Sequence, residues 1–358
     1  MTPLNRIYLD HAATTHVLPA SQKAIADALN AWGNPNSPYA EGRGSRSLLE
    51  QARRTIGETL GWDGEIIFTS GASEAVEIAA KRVRLAGRAH GATEHAIVPH
   101  AMGIASKVIR VASSGLIDEQ DLDSALAGGP ALIAIQQVNN ETGIIQPLDR
   151  LAPRIREAGS LLLSDCAQGA GKIPLPDADF IAACAHKLGG PPGVGVLLVR
   201  DLGTLEPVGG QEKGYRRGTQ DVPSASGFAA ALEARPYDLD RLKKLRARLE
   251  EVISRSGGVV IGAEAPRVPT IGSYAMPGVA SSSQLVQFDL AGIAVSAGSA
   301  CSSGSMKPSI VLEAMGLPAE IASCFVRVSF GPDTTQTDVD RFIEEWRRIH
   351  GRAASRAA

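Results

Sequence analysis

The stretch Cys184–Gly193, CAHKLGGPPG, has a single lysine between an apolar segment and a loop of glycines and prolines. Asp179–Cys184 before it and Val194–Val199 after it have the short apolar runs typical of buried strands. Lys187 is therefore predicted to lie inside the protein. Desolvation lowers the pKa of a lysine amine and makes it a nucleophile toward carbonyl groups, as a Schiff base with pyridoxal phosphate (PLP) requires. A surface lysine in a turn is the alternative, and this stretch alone leaves both open.

A second apolar run, Leu161–Gly171, brings Asp165 to its C-terminal end. Open α/β sheets bind ligands at the C-terminal ends of their strands. A carboxylate that faces a pyridine nitrogen keeps it protonated, and the ring then withdraws electrons. Asp165 is therefore a candidate partner for such a ring.

A third stretch, Ile66–Ala75, predicts a strand, a turn of small residues and the start of a helix. Small residues at a helix N-terminus let backbone N–H groups approach a phosphate closely. Further along, Ala294–Ser305 is a Gly/Ser-rich segment that carries one thiol, Cys301.

Together these stretches resemble the cysteine desulfurases, within the class V aminotransferase branch of the fold type I PLP enzymes. Each matching motif alone is weak, but their order along almost the whole chain is specific. The motifs are Ile7–Thr15, Gly33–Ser37, Thr69–Glu74, Thr93–His95, Asn139–Gly143, Asp165–Gln168, His186–Lys187, Arg216–Thr219, Gly298–Ser303 and Arg327–Gly331.

The chain is expected to be an α/β protein with two domains. Its 358 residues are too many for one simple core, and strands and Ala-rich helices alternate between residues 66 and 199, which favours a mostly parallel sheet. The resemblance implies the fold of a type I PLP-dependent transferase: a large domain (14–240) with a seven-stranded, mostly parallel sheet, and a small α+β C-terminal domain (1–13 and 241–358). A long helix is predicted from Asp238 to Arg255, and a closing helix from Thr337 to about His350, followed by a frayed tail.

Composition argues against several other classes of protein. No apolar run approaches the ~20 residues of a membrane span, and residues 1–6 lack the apolar core of a signal peptide, so a cytoplasmic protein without membrane contact is expected. The net charge of −2 gives no reason to expect nucleic-acid binding. The 4 cysteines form no CxxC pair, which disfavours a disulfide framework or a metal site.

The resemblance also implies roles for individual residues. Lys187 carries the cofactor, Cys301 receives sulfur, and His95 stacks on the pyridine ring and transfers protons. Arg327 and Asn140 bind the substrate carboxylate, Arg327 through a bidentate pair. Thr219 reaches the phosphate from a neighbouring subunit, so a homodimer with shared active sites is expected. The complete set of cofactor-binding residues is Ala72, Ser73, His95, Asn140, Asp165, Gln168, Cys184, His186, Lys187 and Thr219.

The implied reaction converts L-cysteine to L-alanine and leaves the sulfur as a persulfide on Cys301. The persulfide then passes to an acceptor protein, in iron–sulfur cluster assembly or in thiolation. An aminotransferase, a selenocysteine lyase and a degenerate scaffold protein remain alternatives. Three departures from the family pattern bear on the site: Cys184 replaces a serine, Glu77 replaces a common asparagine, and the span from Arg84 to Met102 is shortened around His95.

Overall fold

A computed structural model describes residues 6–298 and 308–357 of the chain, and side chains up to residue 352. The strands are β1 (Ile7–Tyr8), β2 (Glu65–Thr69), β3 (Gly87–Gly91), β4 (Lys107–Ile109), β5 (Ala131–Ala134), β6 (Leu161–Asp165), β7 (Phe180–Cys184), β8 (Gly195–Val199), β9 (Val259–Ile261), β10 (Ile271–Ala275), β11 (Ile293–Ala294) and β12 (Phe325–Ser329). The α-helices are α1 (Pro19–Asn30), α2 (Ala40–Leu60), α3 (Ala72–Arg82), α4 (Ile97–Met102), α5 (Glu119–Leu126), α6 (Leu148–Glu157), α7 (Val222–Glu233), α8 (Leu239–Arg255), α9 (Ser281–Leu290), α10 (Ile310–Ala314), α11 (Ala319–Ala322) and α12 (Gln336–Ala357).

A seven-stranded sheet forms the centre of the fold, in the order β2-β8-β7-β6-β5-β3-β4. The five strands from β7 to β4 in that order run parallel to their neighbours. Only β8 pairs antiparallel, with β7 on one side and β2 on the other. This arrangement confirms the predicted α/β class and the mostly parallel sheet.

Strands β7 and β8 are apolar throughout because both faces of the sheet are covered there. All five residues of β7 and of β8 are buried. Ile181 and Ala183 point into the core beneath α2 and α7, whereas Phe180 and Ala182 point into the opposite core against α3. Strands that are covered on both faces require continuous apolar runs. Strand β7 brings Lys187 to the edge of the sheet, between the two layers of helices.

A second hydrophobic core joins the two ends of the chain. It contains Ile7 and Leu9 together with residues of α8, α9, β12 and α12. Helix α8 begins where predicted, because the Asp238 side chain accepts a hydrogen bond from the Arg241 N–H at 3.0 Å. Helix α12 does not end near His350, and the expected frayed tail was wrong, since the helix continues to Ala357. The predicted domain boundaries stay a prediction.

The N-terminal segment connects this second core with the central sheet. Strand β1 pairs in parallel with β11, with Ile7 opposite Ile293. Three residues later, Asp10 lies against Ser329 at the end of β12. Among the described residues, no helix is long and apolar enough to cross a membrane.

Candidate active site

Lys187 follows strand β7 directly, at the C-terminal edge of the sheet. Cys184, the last residue of β7, pairs with Gly195 of β8, and the chain between them forms the lysine loop, residues 185–194. Among residues 6–298 and 308–352, no hydrogen bond or ion pair holds the Lys187 amine. The side chain is half-buried rather than enclosed as the sequence predicted, and its amine is available to a ligand.

Hydrogen bonds from the N-terminal segment hold the backbone of the lysine loop in place. The Thr15 N–H donates to the His186 carbonyl at 2.8 Å, and the Thr15 hydroxyl donates to the Lys187 carbonyl at 3.3 Å. Tyr237 donates to the same Lys187 carbonyl at 3.3 Å. Sequence reasoning gave none of these side chains a role, and Tyr237 lies in no motif that could have indicated one. The contacts fix the backbone of Lys187 while leaving its amine free.

Asp165 ends strand β6, next to β7 in the sheet. One carboxylate oxygen, Oδ1, accepts a hydrogen bond from the Ala167 N–H at 2.9 Å. The other oxygen has no protein partner among the described residues, so it can face a ligand. This is the position in the sheet that the sequence predicted.

His95 lies within electrostatic reach of both Asp165 and Lys187, despite the shortened span around it. Strand β3 ends at Gly91 and helix α4 begins at Ile97, so His95 lies in the connection between them. Partial burial lowers the pKa of His95; Asp165 opposes this shift and Lys187 adds to it. A neutral imidazole near the amine can accept and return a proton.

Ala72 and Ser73 are the first two residues of helix α3, and the helix has no side-chain cap. The first N–H groups of a helix have no acceptor within it, so they are available to an anion. A Cβ on Gly195 would lie 2.7 Å from Gly71 atoms, which shows how closely the turn before α3 approaches β8. Because Gly195 pairs with Cys184, the turn and the lysine loop are neighbours.

Cys184 and His186 flank this turn on the lysine side. Burial raises the pKa of the Cys184 thiol, so the group stays protonated at neutral pH. Burial and the charges of Lys187 and Lys172 lower the pKa of His186 to about 4. Its Nδ1 lies 3.3 Å from the Thr14 hydroxyl. Neither group brings a charge of its own to the turn at pH 7.

Gln168 carries a buried polar atom without a partner. Its Nε2 donates to the Ala12 carbonyl at 2.9 Å, whereas its Oε1 is fully buried and has no hydrogen bond among the described residues. A ligand hydroxyl at this point would supply the missing donor. The orphaned oxygen, the free carboxylate oxygen of Asp165 and the free N–H groups of α3 therefore fit the polar atoms of PLP.

Arg327 lies on β12, buried, with its side chain 5% exposed. Its Nη2 donates to Asp10 Oδ1 at 2.7 Å and its Nη1 to the Asn140 carbonyl at 3.0 Å, while its Nε has no partner among the described residues. A buried arginine needs such a partner, because an unpaired buried charge costs several kcal/mol. The partner is a carboxylate of the protein itself, and Asp10 was not predicted in this role.

The loop around Asn140 is organised by its neighbour, Asn139. The Asn139 side-chain oxygen accepts hydrogen bonds from the N–H groups of Glu141 and Thr142 at 2.9 and 2.8 Å. Its amide nitrogen donates to the Thr93 carbonyl at 3.1 Å, two residues before His95. Asn139 therefore ties the Asn140 loop to the histidine connection.

Lys172 is a second lysine close to the site. Its Nζ lies 4.9 Å from the ring centre of Tyr237, in a cation–π contact. Burial, together with the charge of Lys187, lowers the pKa of Lys172 to about 7. The sequence gave no indication of this residue, because its distance from the lysine loop depends on the fold.

Thr219 is exposed, at the end of a loop that runs from Val208 to Gln220. The loop is anchored by Glu212, whose fully buried side chain accepts from both Nη atoms of Arg53, at 2.9 and 3.1 Å, and from the Phe68 N–H at 2.8 Å.

The predicted residue Cys301 lies outside the described residues. Cys166, Cys184 and Cys324 are buried free thiols, as expected of small apolar side chains.

A lysine amine without a partner among the described residues, an aspartate at the end of the adjacent strand and an uncapped helix suit the aldehyde, ring nitrogen and phosphate of PLP. Residues 7–342 match the family described as aminotransferase class-V. A cysteine desulfurase of Cereibacter sphaeroides is 33% identical, over 95% of this chain and 95% of that protein. The chain belongs to the class-V aminotransferase family and, within it, to the cysteine desulfurases.

Solved structures agree in fold with this assignment. An X-ray structure of a NifS-like protein from Rickettsia africae is 29% identical, with a TM-score of 0.90 over 97% of this chain and 100% of that one. A structure of SspA in complex with cysteine is 28% identical, with a TM-score of 0.80 over 92% of this chain and 100% of that one.

Proposed function

We propose that this cysteine desulfurase takes the sulfur of L-cysteine onto Cys301 and releases L-alanine, with PLP bound at Lys187. The observation that carries the proposal is that His95 lies within electrostatic reach of both the Lys187 amine and the Asp165 carboxylate. When bound, PLP supplies an electron-withdrawing ring that activates the substrate. The similarity to a protein solved in complex with cysteine supports the choice of substrate.

The chain's own residues divide the remaining work. Asp165 would keep a ring nitrogen protonated, and Gln168 would accept from a ring hydroxyl. The N–H groups of Ala72 and Ser73, with His186 and Cys184, would bind a phosphate. The Lys187 amine would remove a proton from the substrate, and His95 would take part in proton transfer.

Arg327 and Asn140 would orient the substrate carboxylate. An arginine fork matches a carboxylate with two hydrogen bonds. In the present structure Asp10 accepts from one of its amino groups. Binding of the substrate by a bidentate pair therefore requires Asp10 to move or to share the guanidinium.

The sulfur step balances without any other reactant. The Cys301 thiolate attacks the substrate sulfur, the Cβ–S bond breaks, and the carbon fragment gains a proton to become L-alanine. Cys301 then carries one extra sulfur atom as a persulfide. Transfer of this sulfur to an acceptor protein, for iron–sulfur cluster assembly or thiolation, completes the proposed cycle.

The proposed working form is a cytoplasmic homodimer. Thr219, which is exposed at the end of an anchored loop, would reach the phosphate of the other subunit. Each active site would then use residues of both subunits.

The test is to follow alanine formation from L-cysteine in the presence of a reductant, together with mass spectrometry of the Cys301 peptide. Wild type should form alanine and show one added sulfur on Cys301. Cys301→Ala should still bind L-cysteine and form almost no alanine, while Cys324→Ala serves as the matched thiol control and keeps its activity. Alanine formation by Cys301→Ala at the wild-type rate would contradict the persulfide step and favour an aminotransferase or a direct lyase. Borohydride reduction should also attach PLP covalently to Lys187 in the wild type, and it should attach no PLP in Lys187→Ala.

A further inference from the structure

Glu74 lies in the first turn of α3, at the end proposed to bind phosphate. Its Oε2 accepts from the Ser70 N–H at 2.5 Å, so the carboxylate closes the turn that precedes the helix. The Arg216 Nε donates to both oxygens of Glu74, at 2.9 and 3.2 Å. The two side chains are 28% and 22% exposed.

A carboxylate at this place has opposite effects on the helix and on a phosphate. A negative charge in the first turn stabilises the helix dipole. The same charge repels a phosphate dianion at the same helix end. Arg216 removes the conflict, because the ion pair is neutral while the hydrogen bond to Ser70 remains.

The protonation state supports this arrangement. Burial alone would raise the pKa of Glu74, but the Ser70 N–H and the Arg216 guanidinium outweigh it, and the pKa lies below its ordinary value. Glu74 is therefore charged at neutral pH, and an uncompensated charge would persist if Arg216 were removed.

Arg216 is held in place by its own loop. It forms an antiparallel bridge with Gln211. The neighbouring residues Glu212 and Lys213 have left-handed φ angles of 48° and 58°. Such a backbone is costly for non-glycine residues unless contacts fix it, and Glu212 is fixed by its buried pair with Arg53.

We propose that Glu74 and Arg216 form a positioning pair for the cofactor phosphate: Glu74 shapes the Ser70–Gly71 turn, and Arg216 cancels its charge. The inference rests on the proposed function for the identity of the ligand. Neither side chain touches the phosphate in this proposal; the pair acts on the turn and on its electrostatic potential.

If the charges of Glu74 and Arg216 act on the phosphate, the variants should bind PLP in an order that a purely structural contact would not give. Arg216→Met leaves one uncompensated negative charge, and the dissociation constant for PLP should rise about tenfold. Glu74→Gln removes the negative charge and keeps an acceptor for Ser70, so its affinity should equal or exceed that of wild type. The double variant Glu74→Gln/Arg216→Met is neutral again and should recover most of the loss. Arg216→Lys, which keeps the charge, should stay within about threefold of wild type.

The experiment measures binding of PLP and of pyridoxal to the full-length protein after the cofactor has been removed by dialysis. Pyridoxal has the same ring without the phosphate, so its affinity should not change in any variant. Thermal stabilisation by inorganic phosphate gives a second readout, and Arg216→Met should lose it.

Two results would overturn the inference: an equal loss of pyridoxal and PLP binding in Arg216→Met, or a double variant as weak as Arg216→Met. The phosphate readout separates this inference from the proposed function. If wild type binds no PLP but phosphate stabilises it more than Arg216→Met, the proposed function fails and the pair stands. If phosphate stabilises both equally, the pair fails.

Discussion

Replacing Asp10 with asparagine tests whether the protein's own carboxylate competes with the substrate for Arg327. The two side chains are joined at 2.7 Å and are 17% and 5% exposed, so little water screens the pair. Two unit charges about 4 Å apart interact by about 4 kcal/mol at an effective dielectric constant near 20. Asn keeps a hydrogen bond to the guanidinium and loses the charge.

The expected change is smaller than that full interaction. The hydrogen bond from the Arg327 guanidinium to Asn still has one charged partner and keeps about 1.5–3 kcal/mol, so only part of the Coulomb attraction is lost. A loss of about 1.4 kcal/mol, about a third of the interaction between the full charges, corresponds to about tenfold in affinity. Asp10→Asn should therefore bind L-cysteine about tenfold more tightly, because the incoming carboxylate displaces a weaker partner.

The assay is a spectral titration with L-cysteine in the Cys301→Ala background, where turnover does not disturb the equilibrium. Cysteamine, which lacks the carboxylate, is the control ligand and should bind equally to both proteins. Weaker binding of L-cysteine by Asp10→Asn would refute the competition and show instead that Asp10 orients Arg327 for the substrate.

Three other changes probe the surroundings of the site. Glu212→Ala leaves the Arg53 charge buried without its partner and should lower the free energy of unfolding in urea by about 3–5 kcal/mol. The control, Asp27→Asn at an exposed position, should change it by less than about 0.5 kcal/mol. A loss below about 1 kcal/mol for Glu212→Ala would contradict the anchoring role. Lys172 has a folded-state pKa of about 7, below its ordinary value of 10.5, so the unfolded chain binds the Lys172 proton more tightly. The free energy of unfolding should therefore rise between pH 7 and 10.5. Lys172→Met should flatten this rise, and an unchanged slope would exclude Lys172 as its cause. Cys184→Ser replaces a weak hydrogen-bond donor with a stronger one, so PLP should bind about threefold more tightly, and no gain would show that the thiol does not face the phosphate.

The parts of the site that the sequence predicted are those with local signals. Lys187 and Asp165 each follow a continuous apolar run, and such runs are readable because strands covered on both faces tolerate few polar residues. The turn before α3 was predictable for the same reason, since a strand, small residues and a helix-forming segment follow one another within ten positions.

The parts that were missed are pairs of side chains far apart in the chain. Glu74 and Arg216 are separated by 142 residues, and Asp10 and Arg327 by 317. No periodicity links such positions, because their distance is set by the packing of the whole fold. The pairing of Arg327 with some acceptor could be expected from the cost of burying a charge, but its partner could not be identified.

The pairing of β1 with β11 also has a consequence for synthesis of the protein on the ribosome. Ile7 and Leu9 leave the ribosome long before their partners, which lie between residues 242 and 349. At roughly 5–20 residues per second, the 317 residues between Asp10 and Arg327 take on the order of 15 to 60 s to make. During that time the nascent chain exposes an apolar strand that a chaperone can hold. The pair of Asp10 and Arg327 can therefore form only after the 317 residues that separate them have been translated.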